Sequence, residues 1–431
     1  MKNRIAGQVT FSEKGNAVTS DETGWFIPEP EFTWALRSES TIQLPEGDYT
    51  RPAVLTVRAA PFVCGDVPFQ RMSFVIGGQR FGEAEWRFEC SMAFPMPTTT
   101  DPRPVLTISH PDAAHPQPGD ARRLAFAFRR IQILQLDAPL DLETRLFPAP
   151  SFISANEPAE ILNAIEAETG MPSHEVVTSF ESIGDDCEFG FVQRNLQAEP
   201  LGLLRFSSSY LDAVIEGMDS EFQGIIEGMD PRPDPGCSDE WIVHIERYGM
   251  HYHTFLYKDQ IDFDAVVQRE TTKTRFLVGK LIQDLGDGHK IFVLKNFHRP
   301  LSRAEALAAF LAIRRRGEGR LLWVTPAPAD IPAGSIDVVA PGFWHGYIDR
   351  FALDHDMNHV SLRGWATLLV NAVKLCRQVA PQLQPRPGEH GPGAEVRPPG
   401  SVAGSTTALS LVASLSKKMS SYVRSRVGKS R

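Results

Sequence analysis

Between Gly24 and Leu136 the apolar residues come in short runs that alternate with polar ones and are broken by Pro, Gly and Asp. That two-residue period belongs to strands, because successive side chains on a strand point to opposite faces. AVLTVRAAPF (53–62), RMSFVIGG (71–78), AEWRFEC (84–90), PVLTISH (104–110) and RLAFAFRRIQILQL (123–136) are such runs. In RMSFVIGG and the last run one face turns to a core and the other outward, as sheets packed face to face require. Residues 1–140 are therefore expected to form an all-β sandwich or jelly roll.

After a Pro-rich connector the period changes. EPAEILNAIEAETG has Pro158 in its first turn and Ile161, Leu162 and Ile165 on one side, which predicts a helix. Residues 141–174 thus read as a connector and helix, the hinge between domains. From 175 to 380 strand-like and helix-like stretches take turns. The pattern predicts a strand over 176–184, helices from Cys187 and over YLDAVIEGM, strands over 240–246 and 251–257, and a helix over 264–285. Next come a strand over 290–296, a helix over 302–316, strands over 320–327 and 335–341, and a last helix over 364–377. Such alternation gives βαβ units and a largely parallel sheet, with sites at the carboxyl ends of its strands. The expected fold is two-domain, all-β then α/β.

Residues 381–404, rich in Pro and Gly, read as a flexible linker. In 405–431, Leu411, Leu415, Met419, Val423 and Val427 recur every four residues among Lys and Arg. That is either a basic amphipathic helix for an anionic membrane surface or a frayed, solvated tail.

Composition removes some function classes. The 431 residues exceed what one core holds. With 42% hydrophobic and 23% charged residues the chain is globular rather than disordered. A net charge of −9 and the lack of a DNA-binding motif argue against nucleic acid as a partner. The five cysteines are odd in number and widely spaced, unlike a disulfide framework or paired zinc ligands. There is no apolar core of a signal peptide near the N-terminus and no stretch long enough to span a bilayer. The expected location is cytoplasmic, at most peripheral to a membrane, and no metal or cofactor is expected.

The stretch SFESIGDDCEFGFVQRNLQAEPLGLLRFSSS (179–209) packs a strand end, a Gly turn, two acids and a cysteine before a helix. A cysteine at a helix N-terminus feels the positive end of the macrodipole, which lowers its pKa and raises its thiolate fraction. Asp185 and Asp186 oppose that effect, or one of them caps the helix. Cys187 is accordingly a nucleophile or a small buried residue. A nucleophilic cysteine needs a base, and His253 is the candidate, with His251 beside it and His244 on the strand before. Cys187, His253 and Asp186 form the candidate catalytic set. His-x-His also suits a metal, but no third ligand stands at a telling spacing. Arg205 and Arg194 either make a cationic pocket for a carboxylate or phosphate or pair with the abundant acids.

This stretch, with YGMHYHTFLYKD, RETTKTRFLVGKLIQDL, KIFVLKN and GYIDRFA, resembles a group of bacterial proteins with an SLGDNCEFGLVQR-type opening, over residues 176–377. That group is similar to the papain-like cysteine peptidase family, which opens with a strand, S-[LI]-G, then Cys at a helix start, and brings a His on a later strand. Ser182, Ile183, Gly184 and Cys187 match the opening and His253 the later His. The alternation from 290 to 341 is Rossmann-like instead, so the α/β domain is expected to be Rossmann-like or distantly papain-like. The block Asp356 to His359, followed by Ser361 and Gly364, resembles the D-x-x-H block of SGNH hydrolases, although Asp186 stands where their serine would be; His359 is a candidate binding residue. The N-terminal segments 24–45, 68–82 and 108–128 resemble a β-sandwich accessory module found beside glycosyltransferases. That resemblance implies Trp25 and Trp34 as sugar-stacking positions, or else core residues. Taken together, the resemblances imply a protein of bacterial surface polysaccharide, acting on a glycan intermediate as a cysteine-dependent hydrolase or transferase. The alternatives are a non-catalytic carbohydrate- or partner-binding protein and an SGNH-like esterase or acyltransferase.

Overall fold

The computed structural model describes residues 3–379 apart from 118, 141, 298 and 354–358. The expected linker and basic tail, and the block from Asp356 to Asn358, lie outside the described residues.

Nine strands fill the first part: β1 (Asn3–Thr10), β2 (Thr33–Leu36), β3 (Glu39–Gln43), β4 (Ala53–Pro61), β5 (Gln70–Ile76), β6 (Gln79–Trp86), β7 (Cys90–Met96), β8 (Val105–Ser109) and β9 (Leu124–Leu136). One sheet runs β1-β9-β4-β7 with β2 also on β9, and the other runs β3-β8-β5-β6. Side-chain alternation along β4 and β9 then sorts the apolar residues. Leu55, Val57, Ile131 and Ile133 meet Ile42, Met72, Phe74 and Leu106 of the second sheet in one core, which makes the pair a sandwich. Val54, Leu134 and Leu136 point the other way, into a different core.

The second part contains β10 (Arg145–Phe147), α1 (Pro158–Thr169), α2 (Ser173–Thr178), β11 (Phe180–Ser182), α3 (Glu188–Asn195), α4 (Leu211–Ser220), β12 (Met229–Asp234), β13 (Glu240–Ile245), β14 (Met250–Tyr257) and α5 (Phe263–Asp287). It continues with β15 (Ile291–Leu294), α6 (Arg303–Arg316), β16 (Arg320–Pro326), β17 (Ile336–Ala340), β18 (Phe343–Ile348) and α7 (Leu362–Val379). Its main sheet has the order β10-β17-β18-β16-β15-β11. The strands β11, β15, β16 and β18 are parallel, and β17 alone is reversed, pairing antiparallel with β18 on one side and with β10 on the other. Helices cover both faces. Ile291, Val293, Leu322 and Val324 pack with residues of α1, α2, α3 and α7, and the intervening Phe292, Leu294, Leu321 and Trp323 pack with α4 and α6. A separate antiparallel sheet, β12-β13-β14, buries Val243 and Ile245 in the α6 core.

Helix α6 explains why the two parts are not merely joined by a connector. Every residue from Glu305 to Ala312 is buried, and an all-round apolar helix is one enclosed on all sides. Ala306, Ala308, Ala309 and Ala312 share one core with Phe292 and Leu321 of the main sheet and with Val54 and Leu134 of the sandwich. The small alanines allow both sheets to approach. Helix α1, expected in a hinge, buries Ile161 and Ile165 with residues of α7.

Two other expectations change. Val176 and Val177 lie in α2, not in a strand, because both are needed in the core shared with α7, and tertiary packing overrides their β-branched preference. FWHGYI, to which the periodicity assigned no element, is the strand β18, where a Cβ on Gly346 would stand 2.4 Å from Leu368 Cδ2.

Candidate functional site

Parallel pairing sets Ser182 of β11 beside Val293 of β15, so the segments that leave the two carboxyl ends meet. Gly184 crosses so close that an added Cβ would lie 3.2 Å from the Lys295 carbonyl oxygen. The ammonium of Lys295, whose side chain is 3% exposed, lies 2.5 Å from Asp186 Oδ2, 3.2 Å from Glu188 Oε2 and 3.8 Å from Asp185 Oδ1. The acids have further duties. Asp186 Oδ1 accepts from the Glu188 amide at 2.8 Å, Asp185 Oδ2 from the Phe297 amide at 3.0 Å, and Glu188 Oε1 from Trp365 Nε1 at 2.9 Å. Burial raises the pKa of Glu188, against the pull of Lys295.

Cys187 stands immediately before α3 and is partly exposed, yet its thiol is surrounded closely enough for desolvation to dominate. Burial first and the Asp186 charge second push it up to about 12, and Lys295 and Arg194 do not offset them. Both causes oppose the depression that a helix N-terminus would bring. His253 lies elsewhere, on β14, where Nδ1 is 3.1 Å from Glu240 Oε2, a bond that raises its pKa. Its neighbours are Cys237, His244 and His251 in a cleft on the small sheet.

The candidate binding residues fare unequally. Arg205 is buried and donates to Glu199 Oε2 at 2.6 Å and to the carbonyls of Pro200, Gly190 and Ala198 at 3.0–3.1 Å, with its pKa lowered by burial to about 10. It pins the loop after α3 onto that helix. Arg194 bonds Glu199 Oε1 at 2.6 Å and stacks 4.7 Å over the Phe206 ring. The two arginines therefore serve the loop rather than a ligand. Trp25 is 1% exposed, donates to the Thr41 carbonyl at 2.7 Å and packs against Phe11, so it offers no face to a sugar. Trp34 is partly exposed and meets Phe32 and Phe62 edge-on. His359 is exposed, and its carbonyl accepts from Arg350 at 2.6 Å.

A cleft of about 1270 Å3 runs between the sandwich and the α/β layers. Five arginines and five carboxylates line it, so its charge nearly cancels. Arg58 of β4 crosses the boundary to Asp212 at 2.9 Å and to Glu216, while Arg129 of β9 joins Glu89 at 2.7 Å and Glu31 at 2.9 Å. Two aromatic side chains at its edges are open to solvent, Tyr210 at 72% and Phe88 at 55%. Asn296 and Arg299, on the segment that begins at Lys295, also line it, so the acid-lysine cluster and the cleft share one loop. Sequence reasoning missed Lys295, Arg58 and Tyr210. Only Lys295 carried a signal, being the residue that follows a parallel strand.

Among the described residues no helix is long and apolar enough to cross a membrane. No family model matches the chain, and no curated protein does. Among solved structures, a family GH115 4-O-methyl-α-glucuronidase is 12% identical over 31% of this chain and 18% of its own, at a TM-score of 0.22. A CBM36 carbohydrate-binding module in complex with calcium and xylotriose is 11% identical over 30% of this chain and 97% of its own, at 0.19. A family two carbohydrate esterase from Clostridium thermocellum, in complex with cellohexaose, is 10% identical over 98% of this chain and 99% of its own, at 0.15. At such scores these likenesses support no inference.

Proposed function

We propose that the chain binds a neutral saccharide in the cleft between the sandwich and the α/β layers. The observation that carries this reading is the lining of that cleft. Exposed Tyr210 and the face of Phe88 opposite the Arg299 guanidinium supply flat apolar faces for sugar rings, and paired guanidinium and carboxylate groups supply donors and acceptors for hydroxyls. Balanced charge disfavours a polyanion. In a titration calorimetry series against neutral and acidic oligosaccharides, a neutral one binds, and Tyr210→Ala and Phe88→Ala each weaken it about tenfold. Failure to bind any neutral saccharide, or a preference for acidic ones, sinks the proposal.

The second reading is a cysteine-dependent hydrolase or transferase. Its support is positional: Cys187 lies at the carboxyl end of β11, and the loop from Lys295 to Arg299 links that end to the cleft. No histidine is assigned as its base, since His253 is held by Glu240 on another sheet. Iodoacetamide labelling across pH decides it: slow labelling of Cys187 until strongly alkaline pH removes the nucleophile, and rapid labelling at neutral pH restores it.

A further inference from the structure

The small sheet gathers donors from three successive elements, two of them three residues apart and the third on the next strand. Cys237 ends the single turn Pro235–Cys237 joining β12 to β13, Glu240 opens β13, and His253 lies on β14 opposite Ile242. One ligand atom from each of Cys237, Glu240 and His253 lies within 4.8 Å of the other two. Tetrahedral zinc with bonds of roughly 2.0–2.3 Å sets neighbouring ligand atoms about 3.3–3.8 Å apart, so the set closes on an ion by a small inward movement of these side chains, with His253 exchanging its bond to Glu240 for the metal.

The local backbone is held in a costly conformation around these three residues. Ser238 (φ 58°) and Asp239 (φ 57°) are both left-handed between Cys237 and Glu240, and so is Phe255 (φ 57°) two residues after His253. Strain of this kind in residues other than glycine persists where the surroundings over-determine it, commonly at sites. Glu240, 2% exposed, is fixed by the Phe255 amide at 2.7 Å on one oxygen and by His253 on the other. Beyond it opens a cleft of about 460 Å3 with His251 and His244 in its wall. Arg232, also in that wall, is engaged by Asp230 at 2.5 Å and Glu246 at 3.3 Å.

We infer that Cys237, Glu240 and His253 bind one divalent cation of the zinc class, with the fourth position open to this cleft. A thiolate, imidazole and carboxylate set favours such ions over magnesium and calcium, which take oxygen ligands. On binding, the Cys237 thiol and, where it is protonated, the His253 imidazole each release a proton to solvent, and thiolate and carboxylate balance the charge of the ion. Three protein ligands with an open fourth position make a site able to hold water or a small ligand on the metal. The site is remote in kind from the saccharide cleft and does not depend on it.

The test uses the full chain without an affinity tag, stripped with a chelator and reloaded with Zn²⁺ or Co²⁺. Elemental analysis is expected to find one ion per chain, the cobalt form to show a thiolate charge-transfer band, and zinc to slow iodoacetamide labelling of Cys237 at least about tenfold. Cys237→Ser and His253→Gln each remove the band and weaken zinc binding at least about tenfold, a loss of the size that removal of metal-site groups brings. Cys64→Ser changes neither. Labelling of Cys237 in the unsubstituted chain that zinc leaves unchanged overturns the inference, and so does zinc binding that survives both substitutions. The protection measurement stands even if a variant fails to fold.

Discussion

Cys187 and Cys237 sit in opposite settings. Cys187 has the conspicuous context, strand, glycine, two acids and a helix start, and there every polar neighbour is engaged. Lys295 takes Asp186 and Glu188, Trp365 takes Glu188, and the thiol is pushed up to about 12. Cys237 has an unremarkable context, a Pro-Gly turn between two strands, and there one atom each of the buried Glu240 carboxylate and the His253 imidazole lies within 4.8 Å of the thiol, with Cys237 and His253 lining a cleft. A cysteine's chemistry follows from whether its surroundings remain available to a ligand, and the motif around it does not disclose that.

Replacing the central cation on the Cys187 side sharpens the contrast most. Lys295→Met leaves two buried carboxylates and the partly buried Asp186 without their counter-ion and is expected to cost about 3–5 kcal/mol in urea denaturation. On the Cys237 side, Glu240→Gln keeps an acceptor for the Phe255 amide and costs under about 1 kcal/mol in metal-free buffer. Equal losses would break the distinction between a closed and an open site.

Next in size is a pH effect beside the closed cluster. Glu181 of β11 is raised from 4.5 to about 8, first by burial and then by its hydrogen bond with Asp284, with Lys280 opposing. The folded state holds this proton and the unfolded chain loses it, so the stabilisation is complete below about pH 4.5 and is lost as pH rises through about 8. The unfolding free energy from urea titrations across that window should fall by an amount on the order of a few kcal/mol. Glu181→Gln should flatten the slope, and an unchanged slope would assign it to other groups.

A further small effect concerns Cys187 itself. As a packed thiol it contributes little, and Cys187→Ala should cost about 1 kcal/mol while leaving saccharide binding in the cleft unchanged. Abolished turnover of a bound saccharide in this variant would falsify the inert reading.

Much of this was legible along the chain. Alternating runs marked β4, β5, β8 and β9, the helical spacing of SRAEALAAFLAIRRR marked α6, and the Gly-Asp-Asp-Cys order placed Cys187 at a helix start. Short-range information was enough there, since strand and helix periods and caps are local. β12, written MDPRPD, escaped because two prolines argue against a strand except at a sheet edge, where it lies. The roles of the arginines escaped too: Arg205 and Arg194 look like ligand groups until Glu199 and the carbonyls beside them are seen.

By itself, then, the sequence determined the order of the elements, the sandwich followed by an α/β layer, and the local setting of Cys187. Only the tertiary structure decided that one alanine-rich helix joins both parts in a single core, that a cleft opens between them, and that Lys295 closes on the acids around Cys187. It also decided that Glu240 and His253 turn toward Cys237. The reason is physical: periodicity depends on neighbours along the chain, whereas desolvation and pairing of charge depend on neighbours in space.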